Sequence, residues 1–487
     1  MTQPGPGSSQ SRLQGGAAPV TPPVRHHSPR LIAAIAAGKG VGKTSQLLGR
    51  GGGASLPGMV ARRIDPQVLA RLVAAQSVRA VGVTGSNGKT TTSRLAAALL
   101  RGEGQAVAHN SAGANLIQGV TSLAVNAATM SGTLPIDIFL AEVDEGALLQ
   151  VAPEISLEVL VVTSLFRDQL DRFGEIYALA RAIESVAVTL EPAATVIVNG
   201  DDPMVADMAC DRAGRRLTFG LEVPESFDRI SGAADSIRCP RCRSDLHYDQ
   251  VYLSHLGSYR CDNCGFGRPA LDVAVTEIRV QGLHATECTI RTPAGEYQFS
   301  IPQAGVHVAY NAAAALAICH ALNIPVPHAS TSLASVQPAF GRMEHIHAAG
   351  RDIVVVFAKN PTSFNTTLRT LDQAGEPRYL LTAFSNTLVD GEDFGWLWDV
   401  DLESIAERLQ HVTVSGLRCD ELATRLKYAG IPAERMTVVP DRPAALDHAL
   451  ATLPAGERLS IVSGYTPTIE FRQEMFRRGW VQRYWRT

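Results

Sequence analysis

From residue 78 onward, short apolar runs alternate with longer stretches whose apolar positions recur at helical spacing. Val78 to Thr84 reads as a buried strand, followed by a glycine turn and an Ala/Leu-rich helix over Thr91 to Leu100. Further strand runs fall at Ile136 to Ala141, Val159 to Thr163 and Ala194 to Val198, separated by helical patterns such as Ile176 to Thr189. This alternation predicts an α/β fold with a mostly parallel sheet covered on both faces. A second α/β series starts near Arg351, with strands expected at Ile353 to Phe357, Tyr379 to Thr382, Val412 to Val414, Thr437 to Val439 and Leu459 to Val462. The first thirty residues are rich in Gly, Pro, Ser and Gln, lack periodicity and are expected to be disordered. The expected organisation is a tail over 1–30, an N-terminal segment over 31–64, a central domain over 65–346 and a C-terminal α/β domain over 350–487. A cysteine-bearing insertion over 237–267 interrupts the central domain.

Bulk composition narrows the class. The chain has 487 residues, 45% of them hydrophobic and 19% charged, as an ordinary soluble globular protein has. A net charge of −3 supplies no general attraction for nucleic acid. The apolar run Leu31 to Ala37 is too short for a membrane span and has no signal-peptide cleavage site, so the expected location is the cytoplasm. Four of the eight cysteines form two Cys-x-x-Cys pairs, Cys239 with Cys242 and Cys261 with Cys264, eighteen residues apart. Cys210, Cys288, Cys319 and Cys419 are scattered singly. That spacing suits a closed, structural zinc ribbon with four thiolate ligands better than a disulfide framework. Acidic and basic residues balance around it, which favours a clip or a partner contact over nucleic-acid binding.

Two segments contain Gly-Lys-Thr. Gly38 to Thr44 follows a helix-like stretch, whereas Thr84-Gly-Ser-Asn-Gly-Lys-Thr-Thr91 lies between a predicted strand and a long predicted helix. Only the second has the setting of a phosphate cradle. There the backbone of Gly85, Ser86, Asn87 and Gly88 would face the phosphates, Lys89 would reach them, and Thr90 would bind Mg²⁺. Neither copy carries the leading glycine of the usual Walker pattern.

The second string resembles the Mur ligase and folylpolyglutamate synthetase superfamily. Matching motifs follow in order: Glu142-Val-Asp144-Glu145 at a strand end, Asn199-Gly-Asp201-Asp202, Asn311 in a helix start, and Gly341-Arg342-Met-Glu344. The resemblance implies ATP as substrate, with Gly85 to Thr91, Asn311 and Arg342 at the nucleotide. It also implies Mg²⁺ on Thr90 and Glu142, and phosphorylation of a carboxylate before a nitrogen attacks.

Only about fifty residues separate the tail from the phosphate loop, too few for the uridine-nucleotide domain of ordinary Mur ligases. With the ribbon and the segments Leu56-Pro-Gly58, Leu165 to Glu175, Lys359-Asn-Pro361, Asp393 to Asp399 and Ser415 to Arg418, the chain resembles the MurT family. Ser164, Gly395, His307-Val308 and Tyr465-Thr-Pro467 depart from that family's pattern.

The narrower resemblance implies a heterodimer with a glutaminase subunit of the GatD type. It also implies amidation of the D-glutamate α-carboxylate of lipid II to D-isoglutamine, and an Asp given to the partner's Cys-His pair. Asp393 is the first choice for that Asp, Asp390 the second, and Asp399 a further candidate. No cysteine here has the Gly-x-Cys-x-Gly setting of a glutaminase nucleophile. The rival readings are a stand-alone amino-acid ligase and a zinc-ribbon scaffold with a vestigial nucleotide site. Asp401 is expected to cap a helix over Leu402 to Leu409, and Asp168 with Asp171 forms a second carboxylate pair of open role.

Overall fold

The computed structural model describes residues 28–47, 55–76, 78–110, 114–167, 176–230, 234–338, 341–387 and 390–482. Most of the tail, the glycine run Gly49 to Ala54, and both Asp168 and Asp171 lie outside the described residues.

The central domain is built on β1 (Arg79–Thr84), β2 (Val107–His109), β3 (Ile138–Glu142), β4 (Val159–Val162), β5 (Thr195–Asn199) and β6 (Arg216–Leu221). A ribbon hairpin, β7 (His247–Leu253) and β8 (Leu256–Arg260), precedes a meander of β9 (Val273–Gln281), β10 (Ala285–Thr292) and β11 (Gly295–Ile301). Nine strands form one sheet in the order β11-β10-β9-β6-β5-β4-β1-β3-β2, parallel from β2 to β9 and antiparallel at the β10-β11 edge.

Alternate residues of each central strand enter different cores. Val81 and Val83 of β1, with Val159 and Val161 of β4, face one core, while Ala80, Leu160 and Val162 face the other. Burial on both faces explains why these strands read as continuous apolar runs. The helices Lys89–Gly102 and Val306–Ala321 cover the first face. Pro29–Leu47, Val68–Leu72 and Ile117–Ala127 cover the second.

The C-terminal domain has six strands: β12 (Glu344–Ala348), β13 (Arg351–Phe357), β14 (Tyr379–Ala383), β15 (His411–Ser415), β16 (Met436–Val438) and β17 (Arg458–Ser463). Their order is β12-β13-β17-β14-β15-β16, and only β12 runs antiparallel to its neighbour. Among the described residues no helix is long and apolar enough to cross a membrane.

One local expectation fails. The helix after Asp401 spans only Glu403–Ala406, and its N-cap is Leu402. Asp401 makes no cap bond and stands 3.5 Å from Arg229 instead. The first Gly-Lys string is helical throughout, inside Pro29–Leu47.

Candidate active site

The loop from Thr84 to Gly88 joins β1 to the helix Lys89–Gly102, and its glycines are required by shape. Gly85 has φ +126°, and a Cβ there would come within 2.2 Å of Thr163 Oγ1. Gly88 has φ +91°, and a Cβ would meet Asn311 Oδ1 at 2.6 Å. The loop is tied down from β4 and the segment after it. Thr163 Oγ1 donates to Asn87 O at 2.7 Å, and Ser86 N–H donates to Ser164 O at 2.7 Å. Asn311 lies under the cradle, where its Oδ1 accepts from Thr92 Oγ1 at 3.2 Å.

Lys89 points back into the loop. Its Nζ donates to Gly85 O and, at 2.8 Å, to Glu145 Oε2, with both side chains buried. Burial pulls the ammonium down, but Glu145, Asp144 and Glu142 more than offset it, so the lysine titrates above its ordinary value. Burial also opposes the Glu145 charge, and Lys89 with Lys359 overcomes that, leaving its carboxyl below the usual range.

Glu142 behaves differently. It closes β3, and Asn110 clamps its backbone from both sides: Asn110 Nδ2 donates to Glu142 O at 2.8 Å, and Glu142 N–H donates to Asn110 Oδ1 at 2.7 Å. Asn115 Nδ2 reaches Oε1 at 3.4 Å, whereas the buried Oε2 has no hydrogen-bond partner. Burial raises the Glu142 carboxyl despite Lys89, the nearby Thr90 hydroxyl, and the charges of Arg342 and Lys359. Asp144 is raised by burial and then by Glu145. An orphaned carboxylate oxygen beside a threonine hydroxyl is the kind of all-oxygen donor set that a hard divalent cation takes. Magnesium therefore fits these residues.

The C-terminal domain reaches the same place. Asn360 caps the helix Pro361–Gln373 through Oδ1, which accepts from Ser363 N–H at 2.8 Å, and its Nδ2 donates to Asn87 Oδ1 at 3.3 Å. Arg342 lies over the Phe357 ring, 5.3 Å from its centroid. A cleft is lined by Arg167, Lys359, Asn360, Asp390, Asp393 and Asp399 among others. Within it Asp390 is fully engaged: Oδ2 accepts from Thr387 Oγ1 at 2.5 Å and Oδ1 from Thr466 N–H at 2.8 Å. Asp399 stands 3.5 Å from Arg167. Asp393 is exposed at the mouth, where Oδ1 accepts from Gly395 N–H at 2.8 Å.

The four thiols of Cys239, Cys242, Cys261 and Cys264 lie within 4.8 Å of one another. Tetrahedral Zn–S bonds of about 2.3 Å place sulfurs roughly 3.8 Å apart, so zinc fits. Each pair sits on a matching turn: Arg243 N–H donates to Cys239 O and Gly265 N–H to Cys261 O, both at 3.0 Å.

The chain matches the family model described as Mur ligase middle domain over residues 83–319, and that described as MurT ligase C-terminal over 357–468. It is 31% identical over 427 residues to a protein of Streptococcus pneumoniae named lipid II isoglutaminyl synthase (glutamine-hydrolyzing) subunit MurT, covering 87% of this chain and 92% of that one. The chain belongs to the MurT family. The MurT subunit of Staphylococcus aureus strain N315 is 30% identical over 80% of this chain and 86% of its own. Among solved structures, a pseudomurein peptide ligase type C from Methanothermus fervidus superposes with a TM-score of 0.64 at 20% identity, covering 82% and 79% of the two chains. Mycobacterium tuberculosis folylpolyglutamate synthase complexed with ADP and AMPPCP gives 0.60 at 15% identity, over 93% and 96%. The Mur ligase fold is thereby shown.

The structure brings Gly85 to Thr91, Glu142, Asn311 and the Asn360 segment to one place. Asp201 and Asp202 instead serve packing, with no exposed surface. Asp201 accepts from Arg268, Tyr310 Oη and Leu221 N–H, and Asp202 from Met204, Val205 and Leu165 N–H. Sequence reasoning does not reveal Glu145 as partner of Lys89 or Asn110 as clamp of Glu142. The acid beside Asp144 is the only signal for the first, and the second carries none.

Proposed function

We propose that this chain is the ATP-using subunit of a lipid II amidotransferase. It would convert the D-glutamate α-carboxylate of the stem peptide to D-isoglutamine through an acyl phosphate. Membership of the MurT family carries this reading, and the Lys89–Glu142 centre supplies groups of the required kind. A carboxylate is a poor electrophile, so phosphate must be installed as a leaving group before nitrogen attacks.

The loop amides of Gly85 to Gly88 and the N-terminus of the following helix would hold the ATP phosphates. Lys89 would exchange Glu145 for a phosphate oxygen, and Arg342 would meet the phosphates from the linker. Asn311 would stand by the adenine. Thr90 and Glu142 would hold Mg²⁺, which when bound neutralises charge on the transferring phosphoryl group.

Nitrogen would come from a GatD-type glutaminase partner, because no cysteine here is set as a glutaminase nucleophile. Asp393 is favoured as the acid given to that partner, since Asp390 is spent on Thr387 and Thr466 and Asp399 on Arg167. The chain would work in the cytoplasm, where ATP is held, against lipid II at the membrane surface.

Co-expression with the glutaminase, co-purification, and mass spectrometry of lipid II incubated with ATP and glutamine test the whole reading. The expected product carries one amide in place of one acid. Unchanged lipid II from an intact complex, together with ligation of a free amino acid, would replace it with a stand-alone ligase.

A further inference from the structure

The turn of the ribbon hairpin is buried, which is unusual for a two-residue turn between strands. Ser254 and His255, between β7 and β8, are 5% and 0% exposed, and the flanking Leu253 and Leu256 join the core of the central domain. Ser254 adopts a left-handed φ of 56° to make the turn. The ribbon therefore drives its tip into the domain rather than sitting on it.

What the tip touches is the support of the phosphate loop. The His255 ring lies 4.8 Å from that of Phe166, inclined by 51°. Phe166 is bonded to Ser86 of the loop in both directions: Ser86 Oγ donates to Phe166 O at 3.0 Å, and Phe166 N–H donates to Ser86 Oγ at 3.1 Å. His255 Nε2 stands 3.5 Å from Asp202 Oδ2 without a hydrogen bond, and that oxygen holds Leu165 N–H at 2.8 Å. Both residues behind the loop, Leu165 and Phe166, are thus backed by the tip.

Tyr248 of the ribbon fixes the tip from the other side, its Oη donating to His255 O and Ser236 O, each at 2.9 Å. A second arm reaches the C-terminal domain. Ser254 N–H donates to Asp228 Oδ2 at 2.7 Å, and Asp228 pairs with Arg369 of the helix Pro361–Gln373. That is the helix whose cap, Asn360, bonds Asn87. The ribbon tip thus sits at the junction of loop, sheet and C-terminal domain.

We infer that the ribbon is a positioning module for the phosphate loop, and that His255 is the positioning residue, acting on Ser86 through the ring and backbone of Phe166. The inference rests on the reading that this loop binds nucleotide. A missing ring would leave a void behind Phe166, and displacement of a site by a fraction of an ångström is enough to weaken it.

The test is titration of the full-length chain with a fluorescent ATP analogue, with zinc content and thermal midpoint followed on the same samples. His255→Ala should keep its zinc and bind the analogue about tenfold more weakly. His255→Phe preserves the ring contact but gives up the bond that Nδ1 accepts from Asp235 N–H at 3.4 Å, and should recover most of the affinity that Ala loses. Parental affinity in His255→Ala overturns the inference, and so does equal weakening of the Ala and Phe variants. If His255→Ala fails to fold, His255→Phe against His255→Gln decides: equal affinities overturn it, and weaker binding by Gln alone supports it. A parent chain that binds no analogue, or binds as well after Lys89→Ala, sinks the nucleotide reading itself.

Discussion

Lys89 Nζ and Glu145 Oε2 lie 2.8 Å apart in a buried pair at the base of the phosphate loop. The lysine that phosphates would attract is thus already charged, desolvated and held inside the cradle. Nucleotide then exchanges one anion for another instead of desolvating a free ammonium.

Replacing Lys89 by Ala is expected to lower ATP turnover by at least about 100-fold. Lys43→Ala should leave turnover unchanged, since Lys43 is exposed on the first helix. A steady-state phosphate-release assay on the two variants checks this. An inactive Lys43 variant would move the site.

Glu142 sets a pH signature. Burial holds its folded-state pKa above the 4.5 of a free glutamate. Between 4.5 and the raised value the folded chain binds more protons than the unfolded one, so stability falls as pH rises through that window. Without divalent cation, Glu142→Gln should therefore raise the melting midpoint at pH 8, by about 2 °C, and by less at pH 5. ATP turnover should still drop by about 100-fold. A midpoint gain equal at both pH values would show that the buried charge is not the cause.

Much of the site can be read from the chain because it depends on local pattern. Gly85 and Gly88 follow a mostly apolar, buried strand and precede an Ala/Leu-rich helix, and that context sets the loop apart from Gly38 to Thr44. The first string has a use that its letters do not reveal: Lys39 Nζ donates to Asn126 O and Ala128 O at the end of the helix Ile117–Ala127. Asn110 and Glu142 meet only because β2 and β3 are neighbours, a long-range fact without periodicity. The meander β9 to β11 escapes the pattern for a related reason. It forms a sheet edge, where polar residues such as Thr276, Glu277 and Arg279 interrupt the apolar run. Asp201 and Asp202 belong to a matching motif, and their use is a long-range fact too: the fold spends them on the sheet and a helix cap.

Metal removal should be visible in stability. Changing any one of Cys239, Cys242, Cys261 or Cys264 to Ser is expected to release zinc and lower the melting midpoint by several degrees. Elemental analysis beside a thermal melt reads both. Protein purified without chelator that holds no zinc would reject the ribbon assignment.

Asp393→Asn keeps shape and removes charge. If Asp393 steadies the partner's imidazolium, glutamine-dependent amidation falls by up to about 10⁴-fold, and free ammonium restores it because the ATP site is untouched. Complex formation is measured on the same sample. Failure with both nitrogen sources would place Asp393 in the ligase centre or the fold, and full activity with glutamine would clear it of the role.

The Asn360 side chain has a consequence for engineering. One amide both starts a helix of the C-terminal domain and grips Asn87 of the loop. The two domains are therefore not interchangeable modules, even though each has its own sheet and core. A chimera joining this front half to another relative's rear half would keep the tie on its loop only where that rear half brings an equivalent of Asn360.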